Sequence, residues 1–302
     1  MSGIVQLGLV GLFAPAPLLV AQDAGPQDPA TQPPTVEQRQ QAAKLLKAGL
    51  DRATSPELLE AVLLELPASA DALGSGRNAE ELRRMALDLR WQALVDPDQA
   101  FQTARTQVSE RIKDLVFEPR IEADLPVGWP TPTVVGEVQW KRYPAYRMGQ
   151  TDARSARSNG AFWILFQHIQ SNDIPMTAPV EMTFEPNGKR MAETKMAFLY
   201  QSTDVGQLGQ EGDVTVTDVP AGFALSLGCR GAMRTNGMGE QLAVLEQWLE
   251  RHPDWTAAGP MRVMGYNSPM VPYNQRYFEV ELPVRRKQIR DPAEAQEAQT
   301  AQ

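Results

Sequence analysis

Cysteine and histidine are nearly missing from this chain. Its 302 residues hold one cysteine, Cys229, and two histidines, His168 and His252. A lone cysteine excludes an internal disulfide and a thiolate metal cluster. Zinc centres draw on several His or Cys ligands, so no protein-only metal site is expected. Cys229 follows Leu227-Gly228 with no base near it in sequence, and reads as a small core residue rather than a nucleophile. Basic residues are too few for a stripe: 29 Lys and Arg stand against 37 Asp and Glu, for a net charge of −8. Tracking phosphates needs such a stripe, so no nucleic-acid partner is expected. Catalytic motifs are lacking too. Ser226 and Ser268 lie in no G-x-S-x-G elbow, and Gly228-Cys229-Arg230-Gly231 has no phosphate-loop lysine. No catalytic residue is therefore assigned.

Long apolar runs are equally scarce. Ile4 to Val20 is 17 residues long, carries Pro15 and Pro17, and gives way to Gln22-Asp23. Its length and prolines argue against a stable membrane span. It reads as the apolar core of an export signal cleaved after Ala21, although no Lys or Arg precedes it. Residues 1–21 are thus expected to be a signal peptide, and the protein to be exported to a periplasmic or other extracytoplasmic space. Otherwise it is cytoplasmic.

What is present is ordinary for a folded protein, with 42% hydrophobic and 22% charged residues. Residues 22–34, with four prolines, read as a disordered spacer. Residues 35–117 read as a small all-helical module. Ala42, Leu45, Leu46 and Leu50 recur at helical spacing. Ser55-Pro56 predicts an N-cap and first-turn proline. Asn78 with Glu81 resembles a capping box, with Leu82, Met85, Ala86 and Leu89 on one face. Asp96-Pro97 opens a fourth helix. Core packing and solvated charge explain these residues, and the module's partner is unknown. Residues 118–136 are rich in Pro and Gly and read as a linker. Residues 285–302 form a polar tail, expected to be mobile.

Residues 137–284 have a different rhythm. Val138–Met148 reads as a strand, Ala153–Gln170 as a helix, and Val180–Phe184 and Lys195–Tyr200 as strands around an Asn187-Gly188 turn. The pattern then repeats: strands at Val214–Val219 and Phe223–Arg230, a helix at Gly239–Arg251, strands at Pro260–Tyr266 and Tyr277–Leu282. This is β-α-β-β twice, each half too small to hold a core alone. The expected class is α+β.

Two proline-containing runs sit at matching places in the halves. One is Met176-Thr177-Ala178-Pro179-Val180. The other is Gly265-Tyr266-Asn267-Ser268-Pro269-Met270-Val271-Pro272-Tyr273, continuing through Arg276 to Glu279-Val280. Together they resemble the paired signatures of the SOUL haem-binding protein family. The resemblance covers roughly residues 137–284. It implies a duplicated βαββ unit forming a distorted antiparallel β-barrel flanked by two helices, here preceded by the all-α module. It also implies non-enzymatic binding of haem or another porphyrin in an apolar cleft, with haem as a possible cofactor not required for folding.

The family's porphyrin-contacting surface lies on the first helix of the unit. Here that helix carries Phe162, Leu165, Phe166 and Ile169 on one face, which would equally well cover a sheet. Some members present an arginine on this helix. In this chain its place falls near Asn159, with Arg157 and Arg154 the nearest cations for haem propionates. His168 is a candidate axial ligand by chemistry, not by resemblance, and a histidine near a helix C-terminus also suits the dipole without any ligand. His252, before Pro253, reads as a helix cap. Nine methionines from Met176 to Met270 read as core filling. Glu279, between Phe278 and Val280, is the alternative site. It could meet a cationic or amphipathic organic ligand, as in the related effector-binding domains of drug-responsive regulators, or serve a small hydrolase as base. It could also be a paired carboxylate that orients the Pro269–Pro272 loop, with Arg276. Glu181 is expected to face outward.

Overall fold

The computed structural model describes residues 32–188, 190–233 and 237–287. The expected signal peptide, most of the spacer and residues 288–302 of the expected tail lie outside the described residues. Side chains of residues 155–159, Arg157 among them, are likewise outside that description.

Four helices come first: α1 (Val36–Arg52), α2 (Glu60–Leu73), α3 (Arg77–Val95) and α4 (Pro97–Leu115). Each start has a local cause. Thr35 and Gln38 form a reciprocal capping box on α1, and Asp96 accepts from Gln99 N at 2.9 Å with Pro97 in the first turn of α4. Ser55 opens a short 3₁₀ turn, Pro56–Leu58, rather than α2 itself. Leu46, Leu66, Leu82, Leu89, Ala104 and Val108 pack as a core of their own. Asn78, expected as a cap, instead lies inside α3, which starts one residue earlier. Its amide donates to Val135 O at 2.9 Å.

The remaining elements are β1 (Val138–Tyr143), β2 (Tyr146–Asp152), α5 (Ala153–Ser171), β3 (Val180–Asn187), β4 (Arg190–Leu199), β5 (Gly209–Glu211), β6 (Val214–Val219), β7 (Gly222–Arg230), α6 (Met238–Glu250), β8 (Trp255–Ala257), β9 (Met261–Gly265) and β10 (Tyr277–Arg286). Pro144 and Ala145 divide the single strand expected over 138–148 in two, because proline cannot donate to a ladder. All described ladders between named strands are antiparallel, in the order β1-β7-β10-β9-β3-β4-β2-β6-β5, with β8 beside β10. The order is symmetric about β9 and β3: β7-β10-β9 mirrors β2-β4-β3. Leading strands are exchanged, β1 pairing with β7 of the second half and β6 with β2 of the first.

This exchange curls the sheet. β1 and β2 lie near opposite ends of the order yet are joined by Pro144-Ala145 alone, and Pro220-Ala221 joins β6 to β7 in the same way. Two intervening residues span no more than about 11 Å between flanking Cα atoms. The ends of the sheet must therefore approach one another, giving a distorted barrel whose hydrogen bonding stays open.

Strand alternation gives the sheet two different faces. One carries Leu225, Leu227, Val263, Phe278, Val280 and Leu282 against α5 and α6. The other carries Lys141, Glu181, Arg262, Glu279 and Glu281, and residues 118–136 lie across it. That strap hydrogen-bonds through Val127 N to Gln201 O at 2.9 Å and through Gly136 N to Gly228 O at 2.8 Å. Gly228 permits the approach: a Cβ there would sit 2.4 Å from Thr133 O.

Candidate ligand-binding site

Beneath the strap lies a buried polar cluster built by strand register. Glu279 and Glu281 are two residues apart on β10 and point the same way, and both are fully buried. Arg262 on β9 pairs with Glu281 at 2.9 Å and with Glu181 of β3 at 3.3 Å. Lys141 on β1 pairs with Glu279. Glu279 also accepts from Thr133 N at 2.6 Å, Tyr266 Oη at 2.6 Å and Tyr277 Oη at 2.9 Å. Tyr143 donates to Glu281, and Tyr146 to Glu181 at 3.1 Å. Trp129 of the strap closes the cluster, its ring 4.6 Å from that of Tyr143 and 5.2 Å from that of Tyr146.

The electrostatics follow from this geometry. Burial works to raise the Glu279 pKa, but Lys141 and the converging donors outweigh it and hold the carboxyl below its ordinary value. Burial raises the Glu281 pKa above the ordinary value, with Arg262 opposing and Glu279 adding to the rise. Burial likewise lifts Tyr143, Tyr266 and Tyr277 well above the usual phenol range, so they are hydrogen-bond donors. In this geometry the Glu279 carboxylate is held by Lys141 and three further donors.

The two proline-containing runs meet at this strap. β3 and β9 are neighbours, with Val180 opposite Gly265, so the end of one run and the start of the other lie side by side. Ala178 N donates to Asp124 O at 3.0 Å. Asn267 Nδ2 donates to Arg120 O at 2.7 Å, and Ser268 N to Glu122 Oε2 at 2.7 Å. Both runs thus clamp the strap onto the sheet. Arg276 does not reach Glu279. It secures the second run, donating to Val271 O at 2.7 Å and Pro269 O at 2.6 Å.

On the opposite side, α5 carries an aromatic surface. Phe162 and Phe166 are stacked with ring centroids 6.0 Å apart and an interplanar angle of 12°. Trp163 meets them edge-on at 5.8 Å and 5.6 Å and is 57% exposed. Phe162 also rests against Phe198 of β4 at 5.1 Å. Leu165 and Ile169 turn inward and are buried in the core.

A family model, that of the SOUL heme-binding proteins, matches residues 132–283, from the end of the strap to β10. The chain belongs to the SOUL family. No curated protein matches the chain. Among solved structures, the EcmrR C-terminal domain is 14% identical over 50% of this chain and 98% of that one, with a TM-score of 0.37. A hydrolase from Listeria innocua is 11% identical over 51% and 94%, with a TM-score of 0.38. SAV2435 bound to tetraphenylphosphonium is 12% identical over 49% and 94%, with a TM-score of 0.32.

In this SOUL chain the expected site residues divide. Phe162 and Phe166 are half-buried and pack against the same core as the buried Leu165 and Ile169, which leaves Trp163 as the exposed ring. His168 is turned inward and buried. Its Nε2 lies 2.8 Å from Tyr200 Oη, and its Nδ1 lies 3.4 Å from Asn172 Nδ2 and 3.3 Å from Glu211 Oε2. With both ring nitrogens engaged in the fold, it is not presented to a ligand beside Phe162 and Phe166. His252 sits at the end of α6, Nδ1 3.0 Å from Trp248 O. Glu181, expected to face outward, is buried in the strap-face cluster because the strap removes that face from solvent. Sequence reading missed Trp163, Trp129, Lys141, Arg262 and Glu281. For Arg262 and Glu281 the signal was there: charges at alternate positions of apolar strands, here Met261-Arg262-Val263 and Phe278-Glu279-Val280-Glu281-Leu282.

Proposed function

We propose that this SOUL chain binds haem or a related tetrapyrrole non-enzymatically on the outer side of α5. The carrying observation is the aromatic cluster on α5, where Trp163 is 57% exposed beside the stacked, half-buried Phe162 and Phe166. A porphyrin needs a broad apolar face, and aromatic rings supply it at little cost in side-chain freedom. The fit is partial. These residues suit contact with the macrocycle, and Arg154, exposed on the same helix and paired with Glu185 at 2.5 Å, could turn to a propionate. The buried, engaged His168 gives the iron no imidazole there. When bound, the haem would bring its own redox-active iron; the chain would supply apolar contact and orientation. Binding would then rest on apolar burial, about 25 cal/mol per Å², which supports a carrier or buffer of modest affinity. We further propose that the chain acts after export, with residues 1–21 removed.

Titration of the full chain with haemin tests this. A Soret shift with tryptophan quenching, both reduced in Trp163→Ala, is expected. No shift and no quenching up to tens of micromolar would overturn the reading.

A second reading places a lipophilic cation against Glu279. It draws on the charge count under the strap, where, among the described residues, Glu181, Glu279 and Glu281 are paired with Lys141 and Arg262. It requires the strap to leave, since Lys141, Thr133, Tyr266 and Tyr277 occupy Glu279. A thermal shift with tetraphenylphosphonium that vanishes in Glu279→Gln while haemin binding persists would favour it.

A further inference from the structure

α3 carries two apolar stripes where an ordinary surface helix carries one. Leu82, Ala86 and Leu89 face the core of the helical module. On the opposite side, Leu87, Trp91, Leu94 and Val95 recur at i, i+4, i+7 and i+8 and face solvent. Their exposures are 57%, 71%, 78% and 87%. The change along this outer side is abrupt. Its N-terminal half holds Glu80, Arg83 and Arg84, and its C-terminal half holds the apolar stripe. α2 runs antiparallel beside it through a three-residue turn and adds Leu64, 60% exposed, with Leu58 in the preceding 3₁₀ turn at 47%. Trp91, Leu94 and Val95 lie at the end of α3 away from its joint with the sheet, where Glu137 at the start of β1 holds the first turn.

Summed over the six side chains, the exposed surface is on the order of 700 Å², against ~300–600 Å² for the largest patch on a typical monomer. Each partner in a standard-size protein interface contributes about 800 Å². The patch is thus of the size that one face of a stable dimer needs. Its rim carries both signs, with Arg84, Arg90 and Asp88 on α3 and Glu60 on α2, all exposed. A mixed rim suits a copy of itself better than an anionic lipid surface, which calls for a cationic border. Trp91 at the centre of the stripe has the residue type that anchors interfaces.

We propose that this α2–α3 tip is a homodimer interface, with the stripes of two copies packed about a two-fold axis. The proposal does not depend on tetrapyrrole binding. The symmetric arrangement closes on itself and leaves the α5 aromatic surface and the strap free on each copy.

Sedimentation equilibrium of the full chain, with Leu94→Glu as the comparison, tests it. Leu94 is exposed, so the variant should keep the wild-type circular dichroism and melting transition. The wild type should sediment as a dimer at micromolar concentration. Leu94→Glu should weaken association on the order of 100-fold, since it places a charge in the apolar centre. The Trp91 contribution to fluorescence, taken as the difference from Trp91→Phe, should be blue-shifted in the wild type and red-shifted in Leu94→Glu. A wild type that stays monomeric with red-shifted Trp91 emission overturns the proposal. So does a monomer with blue-shifted Trp91, which would place the chain's own Ile4–Val20 segment on the patch. A monomer that associates through Trp91 only with vesicles of anionic phospholipid overturns it as well.

Discussion

His168 Nε2 lies 2.8 Å from the hydroxyl of Tyr200, while Phe162 and Phe166 stack farther round α5, half-buried against the core. The helix therefore separates its imidazole from its aromatic surface. If haem binds on that surface, removal of the imidazole should not release it. We expect His168→Phe to change the haemin dissociation constant by less than about threefold, whereas removing both Trp163 and Phe166 should weaken it by ~10-fold or more. Haemin titration followed at the Soret band measures both. A His168 variant that loses the Soret shift while remaining folded would make the histidine a ligand after all.

Lys141 is the cation on which Glu279 depends. Its replacement by methionine leaves a carboxylate buried with tyrosine and amide donors alone, a change that costs roughly 3–5 kcal/mol when one partner of a buried pair is removed. The pH dependence carries the sign. In the wild type Glu279 is depressed, so its contribution is present above the unfolded-state value near 4.3 and is lost as pH falls through the lower folded value. Glu281 is raised, so its contribution is present below about 4.3 and is lost as pH climbs through its higher folded value. In Lys141→Met, Glu279 joins Glu281 in the raised class. The destabilisation should be largest near pH 7 and shrink toward pH 5. Urea denaturation of both proteins at the two pH values reads this directly.

The repeat was legible because β2-α5-β3-β4 and β7-α6-β9-β10 alternate cleanly, and the Pro144-Ala145 break was marked by its proline. The polar face was harder to read. Half-buried antiparallel sheets usually turn their polar alternates to water, so Glu181 between Val180 and Met182 read as an outward residue. Nothing in the strand reveals that the strap will cover it. Residues 118–136 have the Pro and Gly content of a connector, and Trp129 was the single hint of a buried anchor within it. The helical module concealed its outer stripe for a related reason. Once Leu82, Ala86 and Leu89 account for packing, Leu87, Trp91, Leu94 and Val95 fall outside the period that was sought.

Gly228 decides whether the strap can lie down. An added Cβ would stand 2.4 Å from Thr133 O and 2.5 Å from Val134 O, which are backbone atoms that cannot rotate aside. Gly228→Ala should therefore lift the end of the strap and cost about 1–3 kcal/mol. The same residues carry Thr133 N to Glu279, so the lift also removes a donor from the buried carboxylate. Limited proteolysis should cut between residues 118 and 134 faster than in the wild type. An unchanged digestion pattern with unchanged stability would mean the strap tolerates the methyl group.

Glu137 joins the two modules through a helix terminus. Its Oε2 accepts from Arg77 N at 2.8 Å and its Oε1 from Asn78 N at 3.2 Å, so a carboxylate from the start of β1 caps α3 where the sequence supplies only Gly76. Burial raises its pKa, and the two amide donors work against that rise. A negative charge also suits the N-terminal end of the helix dipole. Glu137→Ala removes the acceptor from two first-turn amides, and loss of an N-cap acceptor costs ~0.5–2 kcal/mol. Glu137→Gln keeps one acceptor and removes the desolvated charge, so it should cost less than alanine. Hydrogen exchange at Arg77 and Asn78 should accelerate in the alanine variant and stay close to wild type in the glutamine variant, while exchange in β9 and β10 is unaffected in both. Equal acceleration throughout the sheet would show that the cap supports the whole fold rather than the joint between its parts.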